Sequence, residues 1–134
     1  MTLLDAHLRP AARLPVPVPP TAIQFAPDGA SLFLALSSPT APTVARLGRA
    51  GRAGAWQEGT ALDGEGRRLR IAPDGLLAVV AVAGPLGGLA LVHAPTLRLQ
   101  GAMARCDARD VVLTPSADRA LLICGEGQVT EVDL

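Results

Sequence analysis

Two histidines, two cysteines and one short run of alternating charges are the residues of this 134-residue chain whose types could do chemistry. His7 and His93 stand far apart, with no H-x-x-x-H spacing, and Cys106 and Cys124 form no C-x-x-C pair. Metal ligation needs three or four such donors converging on one point. No catalytic, cofactor-binding or metal-ligating residue is therefore assigned, and no cofactor is expected. His93 closes an apolar stretch at the place where Asp133 closes a similar one, which reads as a strand-end hydrogen-bonding residue. His7 falls in an N-terminal stretch, 1–11, expected to be mobile. Cys124 aligns with Leu36 and Val82 and reads as a small buried hydrophobe, Cys106 as a loop residue. With only two cysteines and no basic, apolar leader at the N-terminus, a disulfide is not expected.

The segment Gly48-Arg49-Ala50-Gly51-Arg52-Ala53-Gly54 has the look of a phosphate loop. It lacks the G-K-[ST] ending and the strand-to-helix setting that phosphate cradling requires, so it reads as a solvated hairpin connection. Arg67, Arg68 and Arg70, near Asp63 and Glu65, read as surface ion pairing of small energetic worth. The segment worth watching is Arg105-Cys106-Asp107-Ala108-Arg109-Asp110. Its Arg105, Asp107 and Arg109, with Glu126 nearby in the pattern, form a candidate partner-binding loop, because loops on a rigid scaffold are where binding concentrates.

The elements that would position these residues follow from a repeat. Ile23-Gln24-Phe25-Ala26-Pro27-Asp28-Gly29 returns 46 residues later as Arg70-Ile71-Ala72-Pro73-Asp74-Gly75, and a worn copy, Val112-Leu113-Thr114-Pro115-Ser116-Ala117, follows. Self-similarity at about 40 to 50 residues fixes architecture ahead of any single element. In each copy a short alternating stretch runs into a Pro-Asp-Gly turn, where proline presets φ and glycine takes the left-handed corner. An apolar run follows, such as Leu76 to Val82, which must be covered on both faces. Further short strands after it make each unit a four-stranded antiparallel sheet. In the third copy Ala117 replaces the glycine, so that turn is expected to be strained or reshaped.

The F-x-P-D-G-x-x-L pattern of Phe25 to Leu32 and the strand-like stretch Val129-Thr130-Glu131-Val132-Asp133-Leu134 resemble WD40-like bacterial β-propeller repeats. The Gly-His and Trp-Asp signatures of true WD40 repeats are missing. The resemblance implies an all-β fold of radially arranged four-stranded blades and says little about function. It implies one half-propeller domain over 12–134, with blades at 21–66, 67–107 and 108–134. The last is one strand short, and the proline-marked stretch 12–20 (Pro15, Pro17, Pro19) is read as an edge strand that closes a third blade. Three blades cannot close a ring that needs about four or more. The expected partner is a second copy, giving a six-bladed homodimer with swapped N-terminal strands; another propeller chain or protein is the alternative.

Composition limits the rest. Acidic and basic residues balance at 12 each, which speaks against a nucleic-acid or membrane-surface role. No stretch reaches the roughly 18 apolar residues of a membrane span, so a cytoplasmic protein is expected. All basic residues are arginine, and Lys, Asn and Tyr are missing, as a G/C-rich genome would produce. The reading is a non-catalytic scaffold or protein-interaction module. A propeller-type hydrolase or small-ligand sensor at the channel mouth is the alternative.

Overall fold

A computed structural model describes residues 2–4, 10–13, 16, 18–37, 42–48 and 56–134. Its first four-stranded sheet runs β3 (Pro20–Phe25), β4 (Ser31–Leu36), β5 (Thr43–Gly48) and β6 (Trp56–Ala61) in sequential antiparallel order. The second repeats that order with β7 (Gly66–Ile71), β8 (Leu77–Val82), β9 (Gly88–His93) and β10 (Arg98–Met103). The third has three strands, β11 (Ala108–Leu113), β12 (Arg119–Cys124) and β13 (Val129–Asp133). Ahead of them β1 (Thr2–Leu4) pairs with β2 (Pro10–Arg13) in a two-stranded sheet. Among the described residues no helix is long and apolar enough to cross a membrane.

The Pro-Asp-Gly turns form as their chemistry dictates. Gly29 and Gly75 take φ of 68° and 74°, and their N–H groups donate to the carbonyls of Ala26 and Ala72 at 2.9 Å. Asp28 Oδ1 accepts from the Ala30 N–H at 2.8 Å, and Asp74 Oδ1 from the Leu76 N–H at 2.9 Å. The third turn keeps the same backbone despite losing both residues. Ala117 enters the left-handed region at φ 55° and donates to the Thr114 carbonyl at 2.8 Å. Ser116 stands where the aspartates stand, and Asp118, two residues on, accepts from the Ser116 and Thr114 hydroxyls at 2.6 and 2.7 Å.

Burial follows the apolar runs. Val79, Val80 and Ala81 of β8 are fully buried, as a strand apolar on both sides must be. One apolar cluster joins Phe33, Ala35 and Val44 of the first sheet to Leu69, Val80 and Val92 of the second. Another joins Val79 and Leu89 of the second sheet to Val111 and Leu122 of the third. Leu32, Leu34 and Leu36, on the other face of the first sheet, are covered in part by Val16, Val18 and Trp56.

The N-terminal part differs from the sequence expectation. The strand lies at Pro10–Arg13, not across 12–20, and its partner is the chain's own β1. Val16, Val18 and Pro19 lie outside any strand, and Pro20 opens β3. Pro19 has no N–H to give to a ladder, and Val16 and Val18 pack against Leu32, Leu34 and Leu36. Pro15, Pro17, His7 and residues 49–55 of the arginine–glycine loop lie outside the described residues, and so does most of the stretch expected to be mobile.

Candidate functional site

The connector between the second and third sheets carries the charges singled out in the sequence, and three separate elements hold it. After β10, Ala104 turns the chain with φ 55°. The Cys106 N–H then donates to the Gly87 carbonyl at 3.3 Å, tying the connector to the turn before β9. Asp107 is the hub. Its Oδ1 accepts from the Gly84 N–H at 2.8 Å and from Arg67 Nη1 at 3.0 Å, while its carbonyl accepts from the Gly125 N–H at 2.9 Å. The Gly84 bond, aided by the positive charges of Arg67 and Arg109 and opposed by partial burial, holds the Asp107 carboxyl below the usual aspartate range.

Cys106 and Cys124 form a disulfide across 18 residues, with their Cα atoms 5.8 Å apart. This overturns the expectation of two independent thiols. The reason is register. Ala108 pairs with Cys124 across the β11–β12 ladder, so the residue two before Ala108 lies beside the end of β12. Cys124 is buried as expected, but as half of a covalent clasp.

The arginines of β7 also find partners other than those expected. Arg67 pairs with Asp107, and Arg68 Nε lies 3.3 Å from Asp110 Oδ1. Both pairs cross from the second sheet to the third instead of closing locally on Asp63 and Glu65. Both are partly exposed, so each adds orientation more than stability. An open groove of about 700 Å³ runs beside them, lined by Asp63, Glu65, Arg67, Gly84, Pro85 and Asp107.

Of the candidate loop, Asp107 is engaged with the scaffold, while Arg105, Arg109 and Glu126 are exposed. Glu126 sits in a short 3-10 turn, Gly125–Gly127, with φ 65°, and the Gly125 N–H bond to Asp107 brings that turn beside the connector. His93 Nδ1 lies 2.8 Å from Thr96 Oγ1, a strand-end hydrogen bond of the kind its position suggested. Among the described residues no group of three or more His, Cys, Asp or Glu side chains is placed to hold a metal ion.

One locking device left no readable signal in the sequence. Leu97, fully buried, adopts φ 58°, a conformation unfavourable for a leucine. Its carbonyl accepts from the Thr60 N–H at 3.1 Å and from Thr60 Oγ1 at 3.3 Å, fastening the second sheet to β6 of the first. Gly59 allows the approach, since a Cβ there would stand 2.5 Å from the Leu97 Cβ.

No family model and no curated protein matches the sequence. Solved structures do match. Hydrazine synthase of Kuenenia stuttgartiensis superposes with a TM-score of 0.82 at 22% identity, over 98% of this chain and 39% of that one. U3-55K and the WD40 repeats of RRP9 each superpose with a TM-score of 0.74 at 11% identity, over 90% of this chain and 38% and 37% of theirs. The chain thus spans under two-fifths of the length of these structures, and at such identities the likeness concerns fold alone. Together with the repeated four-stranded antiparallel sheets, it identifies the architecture as a WD40-like β-propeller fold, of which this chain forms consecutive blades.

Proposed function

We propose that the protein is a non-catalytic interaction module whose half-propeller chains assemble into a ring, two copies giving six blades. The carrying observation is the outer face of the third blade. There Leu121, Ile123 and Val129 are 40%, 37% and 63% exposed, whereas the matching Val79, Ala81 and Leu89 of the second blade are essentially buried. An apolar face of this kind marks an interface. A two-fold ring is the simplest closed assembly that covers such a face in both copies. In that ring the N-terminal segment would supply the fourth strand of the partner's third blade. The exposed Arg105 and Glu126 around the connector would face other proteins. The clasp Cys106–Cys124 favours an oxidising compartment over the cytoplasm expected from sequence. A small-ligand sensor is the second reading, favoured by the groove beside Asp63 and Asp107.

Light scattering on the purified chain tests the assembly. The expected particle is twice the 13.7 kDa chain. A folded monomer at micromolar concentration would overturn the ring. Removal of residues 1–13, which include the strand Pro10–Arg13, should abolish dimerisation, and a truncated chain that still dimerises would mean the seams close without strand donation.

A further inference from the structure

The chain builds the same interface twice, and both halves of that interface recur at its two ends. Between the first and second blades, the leading face of the second presents Leu69 and Ile71 on β7 with Ala78, Val80 and Val82 on β8. Between the second and third, the leading face of the third presents Val111 and Leu113 on β11 with Ala120, Leu122 and Cys124 on β12. The matching residues of the first blade are Ile23 and Phe25 on β3 with Leu32, Leu34 and Leu36 on β4. The three leucines are buried, but Ile23 and Phe25 are 49% and 53% exposed, while Leu69 and Val111 are 1% and 0%. The first blade therefore carries a leading face like the others, left bare next to the innermost strand.

Val16 and Val18 of the connector ahead of β3 pack on Leu32, Leu34 and Leu36 and leave Ile23 and Phe25 exposed. Val16 holds the place that Leu62 and Ala104 hold ahead of β7 and β11. Leu62 and Ala104 each pack into the interior cluster that follows them, as Val16 packs against Leu32, Leu34 and Leu36. The segment is built as an interior connector is built.

A polar series marks the same junction. The second residue of each first strand is Thr21, Arg67 or Arg109. Thr21 Oγ1 donates to the carbonyl of Gly66, the opening residue of the next blade. Arg67 Nη1 donates to the carbonyl of Ala108, the opening residue of the blade after that, at 3.3 Å. Arg109 is the third member, exposed at the end of the array. The opening residue that would follow in the series is Pro20.

Building on the ring reading, we infer that the exposed inner edge of the first blade's leading face, formed by Ile23 and Phe25, receives the outer face of the third blade of a second copy. Leu121 and Ile123 stand against it, and Arg109 reaches the carbonyl of the second copy's Pro20. The occupant is a second copy because the chain already shows twice that these two faces fit each other. In the interior junctions β3 touches β7, and β11 touches β7 and β8; by the same geometry β3 would meet β11 and β12 in the seam.

Charge substitution across the seam tests this. Phe25→Asp and Leu121→Arg, both at exposed positions, should each convert the dimer to a monomer while circular dichroism and melting stay those of a folded chain. The double variant places Asp opposite Arg at both seams and should recover dimer at low salt, with at least a tenfold tighter dissociation constant than either single variant. Arg109→Ala should weaken association about three- to tenfold, and Arg109→Lys should restore part of it. A dimeric parent whose mass resists both single substitutions would overturn the inferred seam while leaving the ring reading in place. Singles that dissociate without recovery in the double variant would overturn the pairing of these two faces. A monomeric parent would overturn the ring reading itself.

Discussion

The second and third blades start from the same pattern and are held together by different means. The second has four strands, neighbours on both faces, and a turn closed by Asp74 and Gly75. The third has three strands, one buried face, an alanine in the left-handed corner of its turn, and a disulfide from its central strand to the connector. Its strand β12 shows the consequence residue by residue. Past Arg119 the strand is as apolar as β8, yet burial alternates strictly, with Ala120, Leu122 and Cys124 inside and Leu121 and Ile123 outside. Burial on one face supplies about half the apolar transfer that β8 enjoys. The clasp and the two ion pairs to β7 lie where that deficit would let the third blade peel away.

The largest effect should separate the two faces of β12. Leu122→Ala empties a site buried between blades and should cost about 2 to 5 kcal/mol of unfolding free energy. Leu121→Ala, one residue away on the outer face, should cost under about 1 kcal/mol when measured at concentrations where the chain is monomeric. Denaturant titration of the two variants gives the contrast directly. Equal costs would mean that Leu121 is already covered within a single chain.

The clasp comes next. Closing a loop of this length restricts the unfolded chain by about 3 kcal/mol. The Cys106→Ala/Cys124→Ala variant should lose about that much, and reductant should lower the melting temperature of the parent without affecting the variant. The loss should fall on the third blade: amide exchange should quicken through β11 and β12 before it quickens in β8. Uniform acceleration would show that the clasp serves the whole array equally.

What the sequence could show, and what it could not, divides along the same line. Local chemistry was legible: the turns at Asp28-Gly29 and Asp74-Gly75, the doubly covered run Leu77 to Val82, and the strand-end role of His93 all follow from neighbours within a few residues. The features that escaped depend on separations no local pattern encodes. Arg67 meets Asp107 from 40 residues away. Cys106 meets Cys124 only because Ala108 is in register with the end of β12. The N-terminal strand was misplaced for a different reason. Three alternating prolines imitate a strand's period of two, while Pro10–Arg13, the true strand, offers no apolar alternation to notice. The candidate loop was found by charge alone, and only the structure separates Asp107, which holds the scaffold, from Arg109, which faces outward.

The smallest effect tests the turns, whose left-handed corner is Gly75 in the second blade and Ala117 in the third. An L-residue with a Cβ in the left-handed region costs about 1 to 2 kcal/mol relative to a relaxed backbone, a cost glycine largely escapes. Ala117 stands there at φ 55°, and Gly75 stands at the equivalent corner at φ 74°, with open space where its Cβ would go. Sterics are therefore not the issue at the second turn; the backbone angle alone decides. Ala117→Gly should stabilise the chain by about 0.5 to 1 kcal/mol, and Gly75→Ala should destabilise it by a similar amount, both read as shifts in the denaturant midpoint at unchanged slope. The third turn has a second support that the second lacks, since Asp118 accepts from both Thr114 and Ser116, and those two bonds hold its carboxyl below the usual aspartate range. If those side-chain bonds, and not the backbone, hold the corner, Ala117→Gly will gain nothing because the added freedom of glycine in the unfolded chain offsets the relief. A gain from Ala117→Gly that persists when Ser116 is changed to alanine would instead place the strain in the backbone of the alanine itself.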